Sequence, residues 1–167
     1  DDDNNGYVDD LHGWDFTGEG NGDNDPTPYN LDIHGTHVAG IIGAEGNNNL
    51  GISGVSWNVN LMNLKVFDDG QGASHSDIWE AIYYATDNGA KIINLSLGRT
   101  LGLHSVYDSL TFEDYKRKNP QDYKNYYDAL KYASDNGVFI VAAIGNDAYY
   151  EYLYPGSGNT SKYTSVP

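Results

Sequence analysis

The stretch Asp32-Ile33-His34-Gly35-Thr36-His37-Val38-Ala39-Gly40 decides how this chain is read. Two histidines stand three apart at the head of an apolar, small-residue run that continues to Ala44. Small residues allow close packing, and Val38, Ile41 and Ile42 supply an apolar side, so the pattern predicts a helix that begins at the histidines. A histidine in the first turn feels the positive end of the helix dipole. That field disfavours imidazolium and keeps a neutral ring available as a base. Taken alone, the pair also fits one core histidine and one capping residue.

Composition narrows the choices. A chain of 167 residues suits one domain with a hydrophobic core. The net charge of −15 excludes a basic face for phosphates, so nucleic acid is not an expected partner. Acidic loops suit calcium, high salt or solubility. There are no cysteines, so neither a disulfide nor a thiolate zinc site can form. No run approaches transmembrane length. The chain opens on Asp1-Asp2-Asp3 and stops at Pro167, and both ends read as cut from something longer.

Outward from the histidines the pattern is α/β. Asn60 to Phe67, rich in Leu and Val, predicts a buried strand. Asp68 to Ser74 is turn-rich, and Ser76 is expected to cap a helix running through Asn88, with Ile78, Ile82 and Ala85 on one face and Gly89 as the stop. An internal echo follows. Ala85-Thr86-Asp87-Asn88-Gly89-Ala90 leads into Ile92 to Gly98, and Ala133-Ser134-Asp135-Asn136-Gly137-Val138 leads into Phe139 to Asn146. Each is a helix end, a glycine stop, an apolar strand and a small-residue turn. Repeated winding of this kind predicts adjacent parallel strands with right-handed crossovers. Ligand crevices in such sheets lie at the carboxyl ends of the strands, where Ser96-Leu97-Gly98 and Gly145-Asn146 fall.

Three oxygen-rich loops are candidate cation sites. Asp1 to Asp10 reads D-x-D-x-N-G, with side-chain oxygens at alternate positions and Gly6 for the sharp turn, as in the first half of an EF-hand loop. Its twelfth position is His12 rather than glutamate. The candidate ligands are Asp1, Asp3, Asn5, Tyr7, Asp9 and Asp10; a solvated acidic loop is the alternative. His12 to Phe16 reads as a short strand after it. Thr17 to Asp32 is loop, and within it Asp23, Asp25 and Thr27 form a second candidate or a plain turn. The third loop runs from Gly46 through Asn48, Leu50 and Ile52. Arg99 to Gln121 reads as a surface insert whose Phe112 to Lys118 is helical, ended by Asn119-Pro120.

The string H-G-T-H-V-A-G closely resembles the histidine motif of the subtilisin-like serine proteases (subtilases), and further motifs agree with it. The resemblance implies a three-layer, mostly parallel α/β sheet with helices on both faces, incomplete in this chain. It makes residues 1–167 a single partial catalytic domain, with an acidic calcium-loop insert region over 1–32 and the surface insert over 99–121. It implies that His34 is the general base and His37 a buried neighbour. Ser96, Leu97 and Gly98 would pair with substrate backbone and form one wall of the S1 pocket; Ala143, Ile144 and Gly145 would form the other, with Ile144 where the family usually has alanine. Asn146 matches the oxyanion-hole asparagine. Gly70 and Gly72 lie in the matching substrate-edge segment, where a peptide would add by main-chain hydrogen bonds. Inserts like residues 1–10 and loops like 23–27 occur in calcium-binding subtilases. In the family the third loop binds calcium through backbone carbonyls and one asparagine side chain, which Asn48 matches. The aromatic loop Tyr149 to Pro155 would line a peptide groove or simply pack the loop.

The departures are as informative. No D-[ST]-G triplet precedes His34, and Asp15-Phe16-Thr17-Gly18 only mimics one, since Trp14-Asp15-Phe16 matches a later strand of the family. The nucleophile motif G-T-S-M-A is absent too, and Ser157 has no such context. The expectation is an exported or cell-surface, calcium-stabilised serine endopeptidase acting on polypeptides. The remainder of the same protease domain would supply the catalytic aspartate and serine, leaving this stretch inactive alone. Two other readings stand beside it: a non-catalytic subtilase-like scaffold or surface-assembly module, and a metal hydrolase using His34 and His37.

Overall fold

The computed structural model describes residues 5–18, 22–28, 33–68, 72–98 and 112–143. The chain divides into two compact units, Asp1–Ala90 and Lys91–Pro167. Each is described by itself.

In the first unit, β1 (Gly13–Asp15) pairs in parallel with β2 (Asn63–Lys65), Trp14 lying opposite Leu64. The alternation that forms β1 is aromatic, and Trp14, Asp15 and Phe16 are all buried. Helix α2 (His75–Asp87) supplies Ile78, Ala81, Ile82, Tyr84 and Ala85 to the core. Tyr7 packs edge-on against Trp14 and Tyr84, with centroids 4.9 and 4.6 Å apart. The predicted apolar face of α2 is therefore correct, but its start differs. Ser74, not Ser76, is the N-cap, with extended backbone, and Asp77 in the first turn complements the helix dipole. Asn88 and Gly89 end the helix as expected, Gly89 at φ +80°.

The buried strand expected over Asn60 to Phe67 is shorter and half-buried. Pairing covers only Asn63–Lys65, because its partner β1 is three residues long, and residues 60–62 are exposed. Beyond the buried Val66 the chain turns into a hairpin, β3 (Phe67–Asp68) antiparallel to β4 (Gly72–Ala73).

Helix α1 (His34–Gly43) forms where the small-residue run predicts it. Its C-terminal carbonyls are satisfied by the following loop: Gly54, Val55 and Ser56 donate their N–H groups to Ala44, Ile41 and Ile42, each at 2.9 Å. That approach needs glycine, for a Cβ on Gly54 would lie 2.4 Å from the Ala44 nitrogen. The loop reaches only this end of the helix. No residue of α1 is buried, Ile41 is 59% exposed, and His37 is exposed rather than buried as the resemblance implied.

In the second unit β5 (Ile92–Leu95) and β6 (Phe139–Ala142) are parallel neighbours, with Ile92 opposite Phe139 and Leu95 opposite Ala142. The internal echo thus produces the adjacent parallel pair it predicts. Ile93 and Leu95 are buried, whereas Ile92, Phe139 and Val141, on the opposite alternation, are exposed. Helix α3 (Phe112–Lys118) ends at Asn119, and Pro120 opens α4 (Pro120–Asp135) at the position where its missing N–H costs nothing. Ala129 and Ala133, fully buried, let α4 lie close to its neighbours, β6 and α3. Tyr115 is buried, while the charged side chains of α4 pair along its surface, Lys131 with Asp135 at 2.6 Å.

Candidate active site and cation loops

His34 is the first residue of α1, directly after the N-cap Ile33. It therefore sits among the unsatisfied N–H groups of the first turn of the helix. His37 lies one turn on, its N–H donating to the Ile33 carbonyl at 2.9 Å. Both rings are exposed. Among the described residues no group of three or more His, Cys, Asp or Glu is arranged to hold a metal ion.

In the second unit the strand ends meet as the repeat predicts. The Ala143 N–H donates to the Leu95 carbonyl at 3.1 Å, so Ser96-Leu97-Gly98 and Ala143 leave adjacent parallel strands side by side. The Ser96 hydroxyl accepts from the Asn94 amide at 2.9 Å. The carboxyl ends of adjacent parallel strands are where ligand crevices form in α/β sheets. Gly72 belongs to β4 opposite Asp68, with an exposed main chain at φ +86°. Ile144, Gly145, Asn146, Gly70, Asp1 and Asp3 lie outside the described residues, as do Ser157 and the aromatic loop from Tyr149.

The first acidic loop is organised around Asp10. Its carboxylate accepts from the Tyr84 hydroxyl and from the Asn5 amide, the latter at 3.0 Å. The Tyr84 bond, followed by that from Asn5, holds the Asp10 carboxyl below the usual aspartate range. Asn5 accepts the Tyr7 N–H at 2.7 Å, closing the tight turn in which Gly6 has φ +93° and Asp9 φ +58°. Burial, reinforced by Glu80, Asp87 and Asp10, pushes the Tyr7 phenol up.

The second loop is a chain of Asx turns. Asp23 accepts the Asp25 N–H at 2.9 Å, and Asp25 accepts the Thr27 N–H at 3.1 Å. The Thr27 hydroxyl, ahead of its N–H, holds the Asp25 carboxyl low. Asn24 donates to the Asp9 carbonyl at 3.3 Å, which places the first two loops together, a relation invisible in the sequence. In the third loop Asn47, Asn49 and Gly51 take φ of +60°, +60° and +54°, and Asn48 accepts the Leu50 N–H at 2.9 Å. Asparagine is among the few side chains that tolerate this backbone. The donors of all three loops are carboxylate, amide and carbonyl oxygens, which fit a hard cation such as calcium and not a soft one.

One feature of the first unit was not read from the sequence. Asp15 and Lys65 form an ion pair at 2.5 Å, nearly enclosed. The only hint is an aspartate set between two aromatic residues, and a lysine closing an apolar run.

The Subtilase family model matches residues 2–166, and the chain belongs to that family. It is 37% identical over 147 residues to the thermophilic serine proteinase of Bacillus sp. (strain AK1), covering 88% of this chain and 30% of that protein. With thermitase of Thermoactinomyces vulgaris the identity is 35% over 136 residues, 81% of this chain and 40% of the relative. With the halolysin-like extracellular serine protease Nep of Natrialba magadii it is 43% over 88 residues, 52% and 16%. The chain spans at most 40% of the length of these relatives.

Proposed function

We propose that the protein carrying this chain is a serine endopeptidase of the subtilisin type, acting on polypeptides. The observation that supports it best is His34 at the first position of a helix within a family match over residues 2–166. His34 takes the proton from the nucleophilic serine and later returns it to the leaving amine. Asn146 donates its side-chain amide to the developing oxyanion. Such a donor contributes roughly 3–4 kcal/mol to transition-state stabilisation, a magnitude that comes from a member of this same family. Ser96 to Gly98, with Ala143, Ile144 and Gly145, flank the substrate residue before the scissile bond, and Gly70 and Gly72 belong to the edge along which the peptide extends.

On this reading the catalytic aspartate and serine come from sequence outside these residues, and so do the strand and helix that complete a three-layer sheet. Triad members act as a unit, so a base and an oxyanion donor without a nucleophile retain almost no catalysis. The chain alone is therefore inactive. Calcium bound at the loops around Asp1–Asp10, Asp23–Thr27 and Gly46–Ile52 rigidifies the domain. No helix among the described residues is long and apolar enough to cross a membrane, and a relative described as extracellular supports export.

In the complete protein, His34→Ala abolishes peptide hydrolysis while circular dichroism stays unchanged. Retained hydrolysis in that variant would remove His34 from the mechanism. A wild-type protein that neither cleaves peptides nor reacts with a serine-directed fluorophosphonate would favour the scaffold reading instead.

A further inference from the structure

The Asp15–Lys65 ion pair does no work in the reaction as proposed, yet it lies where three segments meet. Asp15 ends β1 and is only 4% exposed. Its main chain exchanges both hydrogen bonds with Asp23, at 2.8 and 2.9 Å, which ties β1 to the segment 22–28. Gly22 beside that bridge has no room for a side chain, as a Cβ there would lie 1.8 Å from the Asp15 carbonyl oxygen. One carboxylate oxygen of Asp15 accepts from the Thr17 N–H and hydroxyl at 2.8 and 2.6 Å, and the other accepts from Lys65 at 2.5 Å. Lys65 also reaches the Thr17 hydroxyl at 3.4 Å, and its carbonyl accepts the Phe16 N–H at 2.8 Å.

Lys65 is the last residue of β2, two positions before the β3–β4 hairpin. That hairpin has two residues per strand and forms a sheet of its own. So short a hairpin cannot fix its own orientation; its roots must do so. One root runs into α2 and the other is Lys65. Its sheet is two-stranded, so among the described residues each strand has an outer edge with no strand beside it, and an edge of that kind accepts an extended peptide.

We propose that Asp15 and Lys65 are positioning residues, an enclosed ionic clamp that holds the β3–β4 hairpin at the angle required to bind an extended polypeptide. The proposal deepens the protease reading and rests on it. The clamp acts on substrate residues that lie along the hairpin, not on the reacting bond.

The test uses the complete protease with two substrates, a peptide long enough to run along the hairpin and a single-residue ester that cannot reach it. Fluorophosphonate titration counts the folded active sites, so all rates are expressed per labelled site. Asp15→Asn leaves the ammonium facing an amide. Lys65→Met is gentler, since Thr17 still donates twice to Asp15. In both, KM for the long peptide rises roughly tenfold with kcat within about twofold, because the loss is of uniform binding. The ester parameters stay at the wild-type values, and Lys65→Arg restores the long-peptide KM. If instead only the labelled fraction falls and both KM values hold, the pair is structural and the proposal is overturned. Equal losses on both substrates would overturn it as well. A wild-type protein that is neither labelled nor active would defeat the protease reading itself, and is recognised before any variant is compared.

Discussion

At the residue scale, function here depends on where single side chains meet the ends of elements. His34 stands at the first position of α1. Asp10 is the acidic counterpart, held by the Tyr84 hydroxyl and the Asn5 amide. Its carboxyl is depressed, so its contribution to stability is present above the ordinary aspartate range and is lost as pH falls through the folded value. Tyr84→Phe deletes the principal donor. It should cost about 1 kcal/mol, less than the usual ~1.5–3 for a hydrogen bond to a charged group because Asp10 is partly exposed. Thermal melts of the complete domain in chelator check this: the wild-type advantage is present at pH 6 and shrinks as the pH drops below the aspartate range. A pH-independent difference would mean that the Tyr84 hydroxyl contributes through something other than the charged Asp10 carboxylate.

At the element scale, stability is uneven. Ile82 is 2% exposed in the middle of α2, on the same face as the buried Ile78 and Ala85. Ile82→Ala should cost roughly 2–5 kcal/mol, read from urea midpoints at unchanged slope. Gly54→Val forces a side chain against the backbone at Ala44 and should cost about 1–3 kcal/mol in the same assay.

The elements also mark how far a sequence can be read. Helices α1 and α2 and the pair β5–β6 were legible because their periodicity and their glycine stops are local signals. The length of β2 was not, because it is limited by β1, fifty residues away along the chain. The Asp15–Lys65 pair was hidden for the same reason, since neither residue alone announces a partner. The exposure of His37 was misjudged because burial depends on what packs over a helix, and the described covering of α1 is a loop reaching only its far end. Of the candidate site, His34 and the meeting of Ser96 with Ala143 were both readable, one from a motif and the other from a repeat.

At the scale of the whole molecule, charge governs behaviour. The chain carries 24 acidic and 9 basic residues, and a cation held at its acidic loops would relieve the repulsion there. Binding to the native state alone raises stability by mass action. The complete domain should therefore melt at a lower temperature in chelator than in millimolar calcium, and identical melts at low salt would make these loops plain acidic surface. Parallel strands are normally covered on both faces, yet Ile92, Phe139 and Val141 are exposed on one face of β5–β6.

The proposed assignment, a chain that supplies the base but not the nucleophile, is tested most directly by fluorophosphonate labelling followed by peptide mapping. The complete protein should take up one label per molecule on a serine outside residues 1–167, and His34→Ala should slow that labelling severely. The 167-residue chain alone should remain unlabelled. Stoichiometric label on any serine within the chain would contradict the account.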